Sequence, residues 1–147
     1  DNSIPWYIPE DLKNFKLLTN NHILVMGRKT FESMPNGPLK NRIHIVLSNS
    51  MQNYHNNDKV IITNLDKVNN VINNVKKDKK VFVIGGNEIY NLFFDKCSKF
   101  HLTFVCKKFN GDTHLDCLDK ILKSKLINST NILRYQDIPY YFLTYSK

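Results

Sequence analysis

VFVIGGNEIY, residues 81–90, decides the fold class. Val81–Ile84 is fully apolar, as a strand covered on both faces of a sheet requires. Gly85 and Gly86 break the run, and Asn87–Phe94 then has helical spacing, with Ile89, Tyr90 and Phe93 on one side. The same passage from strand through glycine to helix occurs earlier. His22–Met26 (HILVM) is a short apolar run, Gly27 ends it, and a short helix is predicted over Thr30–Met34 with Thr30 as its cap. Pro35, Gly37 and Pro38 make a turn. Strands are predicted over Ile43–Leu47 and Val60–Thr63, and Leu65, Val68, Val71, Ile72 and Val75 have helical spacing. The C-terminal part reads as strands alone, Phe100–Cys106 and Tyr140–Tyr145. Alternation followed by a strand-only end predicts a three-layer α/β fold, with a mostly parallel twisted sheet, an antiparallel C-terminal edge and flanking helices. The 147 residues suit one domain, with Asn49–Asn57 as an exposed loop.

Residues 4–19, IPWYIPEDLKNFKLLT, place a carboxylate on an apolar stripe. Pro9 followed by Glu10 and Asp11 starts a helix, on which Asp11, Leu12, Phe15, Leu18 and Thr19 share a face. An acid in a first turn often does no more than answer the helix dipole, and Glu10 fits that description. An acid on the buried stripe, close to the lone Trp6, instead calls for a partner or a task.

Net charge is +8, from 21 basic and 13 acidic residues, which favours anionic partners. Cys97, Cys106 and Cys117 are odd in number and lack CxxC spacing, arguing for a reducing compartment and against disulfides or a zinc site. No apolar run approaches membrane-spanning length. In an α/β sheet, ligands sit at the carboxyl ends of strands. Met26-Gly27-Arg28-Lys29-Thr30 leads from such an end into a helix, offering backbone N–H groups and two cations to phosphate. A plain glycine turn with surface cations accounts for it equally well, and neither the P-loop nor the G-x-G-x-x-G spacing is present. Gly85-Gly86 permits close approach of a ligand to the backbone. Together the two junctions suggest an extended anionic ligand such as a dinucleotide. Arg42 in the basic turn PLKNR could fork onto a carboxylate, but by spacing alone a solvated loop arginine is the better reading.

Taken together, these segments resemble dihydrofolate reductase. The resemblance is carried by IPWYIPEDLKNF at 4–15, VMGRKTFES at 25–33, PLKNR at 38–42, FVIGGNEIY at 82–90, LTFV at 102–105 and GDTHL at 111–115, in the family's order and spacing. It implies reduction of 7,8-dihydrofolate by NADPH, with hydride transfer to pterin C6 and protonation at N5, on an eight-stranded sheet. Asp11 would grip the pterin's 2-amino group and N3, Trp6 would hold a water beside it, and Thr103 would hydrogen-bond the carboxylate. Ile4, Leu12, Phe15, Met34, Leu39 and Ile84 would line the walls around the pterin and benzoyl rings. Arg42 would clamp the substrate's glutamate carboxylate, reversing the reading from spacing.

The resemblance gives Gly27, Arg28, Lys29 and Thr30 to the cofactor, with Arg28, Ser48 and Asn49 at the adenosine 2′-phosphate. Ile84 would border it, Gly85 and Gly86 would be joined by a cis peptide, and the backbone from Gly86 through Asn87, Glu88 and Ile89 to Tyr90 would receive the pyrophosphate. Glu88 departs from the basic or neutral residue several members have there. The family also begins with a central strand and the first half of an active-site loop, which the chain lacks; an N-terminal segment is expected to precede it. The implied partners are dihydrofolate and antifolates, with no nucleic acid, no membrane and no metal. The implied protein is cytoplasmic, and monomeric unless fused to thymidylate synthase. A pyrimidine reductase of riboflavin synthesis would share the sheet but lack Trp6 and Asp11. A basic nucleic-acid-binding module would need a cationic stripe with exposed aromatics, whereas here the cations are scattered.

Overall fold

The computed structural model describes residues 8–51, 54–106 and 115–147. Among them run α1 (Pro9–Thr19), β1 (Ile23–Gly27), α2 (Arg28–Glu32), β2 (Ile43–Leu47), β3 (Val60–Thr63), α3 (Val68–Lys76), β4 (Val81–Val83), α4 (Asn87–Phe93), a 3-10 turn (Phe94–Lys96), β5 (Lys99–Val105), α5 (Leu118–Leu122), β6 (Lys125–Ser129), β7 (Leu133–Tyr135) and β8 (Ile138–Ser146). No helix among these residues is long and apolar enough to cross a membrane.

The strands form two four-stranded sheets. One is parallel throughout, in the order β3-β2-β1-β4. The other is antiparallel, with β5, β6 and β7 all paired to β8. Sequence reading expects one sheet with an antiparallel edge; here β4 and β5 meet through side chains, the ring centroids of Phe82 and His101 lying 6.2 Å apart.

The parallel sheet is covered on both faces, which is why β1 reads as an unbroken apolar run. Ile23, Val25 and Ile45 pack with Val71, Ile72 and Val75 of α3 and with Ile89 and Phe93 of α4. On the opposite face, Leu24, Met26 and Val46 gather Phe15 of α1, Phe31 of α2, and Met34, Leu39, Phe82 and Ile84. The antiparallel sheet packs Phe100 and Leu102 against Cys117 and Ile121. Residue alternation along β5 turns His101 and Thr103 the other way.

Several expected boundaries move. The second helix is Arg28–Glu32, with Gly27 at its N-cap position, and Thr30 is inside it rather than its cap. The helix after the double glycine ends at Phe93. The third helix begins at Val68, leaving Leu65 outside it and exposed. The asparagine-rich loop is exposed at residues 49, 50 and 55–57 but half-buried at Met51 and Tyr54. Its asparagines serve the next strand: Asn57 Oδ1 accepts from the N–H groups of Lys59 and Val60, and Asn56 Oδ1 from that of Ile62.

Candidate active site

The two glycine junctions end neighbouring parallel strands, because β1 pairs directly with β4. They touch: Gly27 N–H donates to the Gly85 carbonyl at 2.9 Å, and Ile84 N–H to the Val25 carbonyl at 3.0 Å. Gly27 also pairs with Leu47, so Arg28 and Ser48 leave adjacent strands side by side, with Asn49 next along the exposed loop. Backbone at three strand ends thus converges on one sheet edge.

The Gly85–Gly86 peptide is cis. Gly85 is buried with φ +119°, and a Cβ there would lie 3.4 Å from the Tyr90 ring. Gly86 is exposed, and a Cβ there would meet no protein atom within 4 Å. The two glycines therefore predict different consequences. Gly85→Ala should lower stability by about 1–3 kcal/mol, because it forces a left-handed backbone on a residue with a side chain. Gly86→Ala should cost less stability while blocking close approach of a ligand. Thermal unfolding alongside dinucleotide titration separates the two.

Asn87 has its side chain committed to the segment before α5, donating to Asp116 Oδ2 at 3.0 Å and accepting the Asp116 N–H at 3.0 Å. Tyr90 N–H donates to the Gly86 carbonyl at 2.9 Å. Burial, reinforced by Cys117, pushes the Tyr90 phenol up to about 12, so it stays protonated. Ile89 packs into the core beneath Gly27, while Glu88 is exposed. Arg28 forms an exposed i,i+4 pair with Glu32, Lys29 is exposed and Thr30 is half-buried. Ser48 Oγ accepts the Ser50 N–H at 3.1 Å.

Asp11 is half-buried, and Thr103 Oγ1 donates to its Oδ1 at 2.7 Å, joining α1 to β5. One turn on, Phe15 packs into the same apolar cluster as Met34, Leu39 and Ile84. Ile84 immediately precedes Gly85, so the acid, the apolar wall and the glycine bend lie on one face of the sheet. The expected stripe holds for Asp11, Phe15, Leu18 and Thr19, whereas Leu12 is 55% exposed. Ile4 and Trp6 lie outside the described residues, as do residues 111–114 of GDTHL.

Arg42 is not the solvated loop arginine that its spacing suggests. It is 8% exposed. Its Nε donates to Thr19 Oγ1 at 3.0 Å, Nη1 to the Lys40 carbonyl at 2.6 Å and Nη2 to the Lys16 carbonyl at 2.6 Å. Burial lowers its pKa, but a guanidinium remains charged at neutral pH.

Sequence reasoning passed over His44, which is fully buried in β2. Its signal was a titratable residue inside the apolar run IHIVL. A cleft of about 320 Å³ between α1 and β7–β8, lined by Glu10, Lys13, Asn14, Leu17, Leu133, Tyr140 and Phe142, contains none of the predicted site residues that are among the described ones.

The family model described as dihydrofolate reductase matches residues 1–147. The chain is 33% identical over 149 aligned positions to the dihydrofolate reductase of Bacillus subtilis (strain 168), covering 100% of this chain and 85% of that one. It is 38% identical over 120 positions to dihydrofolate reductase type 9 of Escherichia coli, covering 79% and 67% respectively. Against the bifunctional dihydrofolate reductase-thymidylate synthase of Paramecium tetraurelia it is 35% identical over 132 positions, covering 88% of this chain and 27% of that one. The acid on α1, its threonine on β5 and the double-glycine bend thus occur in a chain matched along its whole length, and it belongs to the dihydrofolate reductase family.

Proposed function

We propose that the chain carries out its family's reduction of 7,8-dihydrofolate to tetrahydrofolate with NADPH as the nicotinamide donor, and with Asp11 as the acid that grips the pterin. The observation that carries this reading is Asp11 on Thr103, one turn from a wall that runs through Phe15 and Ile84 into the glycine bend. A carboxylate accepts at both oxygens, and the Thr103 hydroxyl leaves it capacity for two N–H donors from a flat heterocycle. Phe15, Met34, Leu39, Ile84 and the exposed Leu12 would form the apolar walls, to which the family resemblance would add Ile4, with Trp6 near the acid.

The residues at the strand ends suit a dinucleotide. Gly86 presents open backbone, Asn87 to Tyr90 follow it as α4, and Arg28, Lys29, Thr30, Ser48 and Asn49 cluster where β1 and β2 end. Bound there, the reduced nicotinamide supplies a hydride. Hydride addition at pterin C6 would be balanced by a proton from water at N5, and Asp11 would favour the protonated ring electrostatically. In this reading the protein is cytoplasmic, and a monomer unless joined to thymidylate synthase as in the Paramecium relative.

The test is consumption of NADPH by the full-length protein with dihydrofolate, repeated with NADH. Arg28→Ala should weaken NADPH about 10- to 100-fold, the value of one or two charge-assisted hydrogen bonds, and NADH hardly at all. Equal losses argue against 2′-phosphate recognition. Glu32 competes for the same guanidinium. Glu32→Gln should therefore tighten NADPH about two- to threefold, within the range of an exposed ion pair.

A further inference from the structure

We propose that His44 is a positioning residue for substrate, fixing the Leu39–Arg42 segment in the form that receives the substrate's carboxylate tail. The inference rests on the reading above, in which Arg42 meets that tail.

The ring uses both nitrogens. Nε2 accepts the Leu39 N–H at 3.0 Å, and Nδ1 donates to the Lys59 carbonyl at 3.0 Å. The same carbonyl accepts the His44 backbone N–H at 2.6 Å. These bonds require the neutral tautomer with its proton on Nδ1, since a protonated ring would turn an N–H toward the Leu39 N–H. The segment is then held at two points: Leu39 by the imidazole, and the Lys40 carbonyl by Arg42 Nη1 from the segment's other end. Between them, Leu39 supplies apolar wall and Arg42 the cation.

Burial favours the neutral ring. Among the groups around it, α2 contributes the Phe31 ring, the turn before β3 the Lys59 carbonyl, and the preceding segment the Leu39 N–H and the Arg42 charge. Burial lowers the imidazole pKa most and Arg42 lowers it further, while the Lys59 carbonyl opposes them. A depressed folded-state pKa means the ring's contribution is present above the unfolded value of about 6.5 and is lost as pH falls below it.

The test uses the full-length protein and three probes: folate, a pteridine without the benzoyl-glutamate tail, and NADPH. His44→Leu should weaken folate about tenfold, roughly one hydrogen bond's worth of positioning, and leave the other two within about twofold. His44→Gln, whose amide oxygen can again accept the Leu39 N–H, should recover most of the loss. Folate affinity of the unmodified protein should fall as pH drops through the ring's lowered pKa, below the ordinary histidine value of about 6.5, more steeply than in His44→Gln, which lacks the titrating ring. That pH comparison decides the matter even if His44→Leu does not fold. Parallel weakening of all three probes, unchanged folate binding, or identical pH profiles would each overturn the proposal. Failure of the unmodified protein to bind folate overturns the parent reading as well, before any variant is made.

Discussion

Asparagine in place of Asp11 will leave a folded protein whose turnover at neutral pH is lower by ~100-fold or more, the usual scale for losing a positioned acid–base group. The fold survives because an Asn oxygen can still accept from Thr103, whose hydroxyl lies 2.7 Å from Asp11 Oδ1. The loss arises on the ligand side. A carboxylate offers acceptors to two N–H groups, whereas an amide offers one acceptor and sets its own N–H groups against the other donor. It also removes the negative charge that favours a protonated pterin. Turnover should therefore recover in part toward about pH 5, where solvent protonates more of the substrate, while the unmodified protein gains less over the same interval. NADPH affinity should be unchanged, because Arg28 and the glycine bend, proposed above to hold it, lie on other elements. Steady-state NADPH consumption across that range, with melting temperatures for both proteins, makes the comparison. Turnover equal to that of the unmodified protein at neutral pH would remove Asp11 from its role.

What the sequence made legible follows from how each signal arises. β1 and β4 are apolar runs because helices cover both faces of their sheet, and the glycines after them mark where the two strand ends approach each other. Asp11 was legible because a carboxylate on an apolar helical stripe is costly without a partner. β6 was not, because all five of its residues are exposed and it joins β8 through backbone bonds with an irregular register near Leu126 and Asn128. β7 is three residues long, and its turn relies on Gln136 at φ +54°, a conformation that residue type does not announce. α5 spans five residues, too few for a period. Leu12 shows the limit of a helical wheel: the stripe it shares with Phe15 is wider than the surface that covers it. The burial of Arg42 and His44 depends on Lys16 and Thr19 of α1 and on Lys59 ahead of β3, contacts that periodicity does not encode.

Removing Arg42 should injure both stability and substrate binding, and the two losses can be told apart. A guanidinium carries five N–H groups. Nε goes to Thr19, and one bond each from Nη1 and Nη2 goes to the Lys40 and Lys16 carbonyls. One N–H therefore remains on each terminal nitrogen, the pair a carboxylate takes with both oxygens. Thr19 is itself tied to the Phe15 carbonyl at 2.8 Å, so the same guanidinium secures the last turn of the helix that carries Asp11. Arg42→Ala strands two carbonyls and a hydroxyl and should lower stability by about 3 kcal/mol. Folate affinity should fall ~100-fold or more, the scale for truncating one partner of a buried charge pair. Arg42→Lys keeps the charge, yet a single ammonium cannot hold three protein acceptors and a carboxylate at once. It should recover part of the stability and little of the folate affinity. A pteridine without the glutamate tail should bind both variants nearly as it binds the unmodified protein, once measured well below their melting temperatures. If tailed and tail-less ligands weaken alike, Arg42 serves the helix alone, and the carboxylate of the substrate must be received elsewhere.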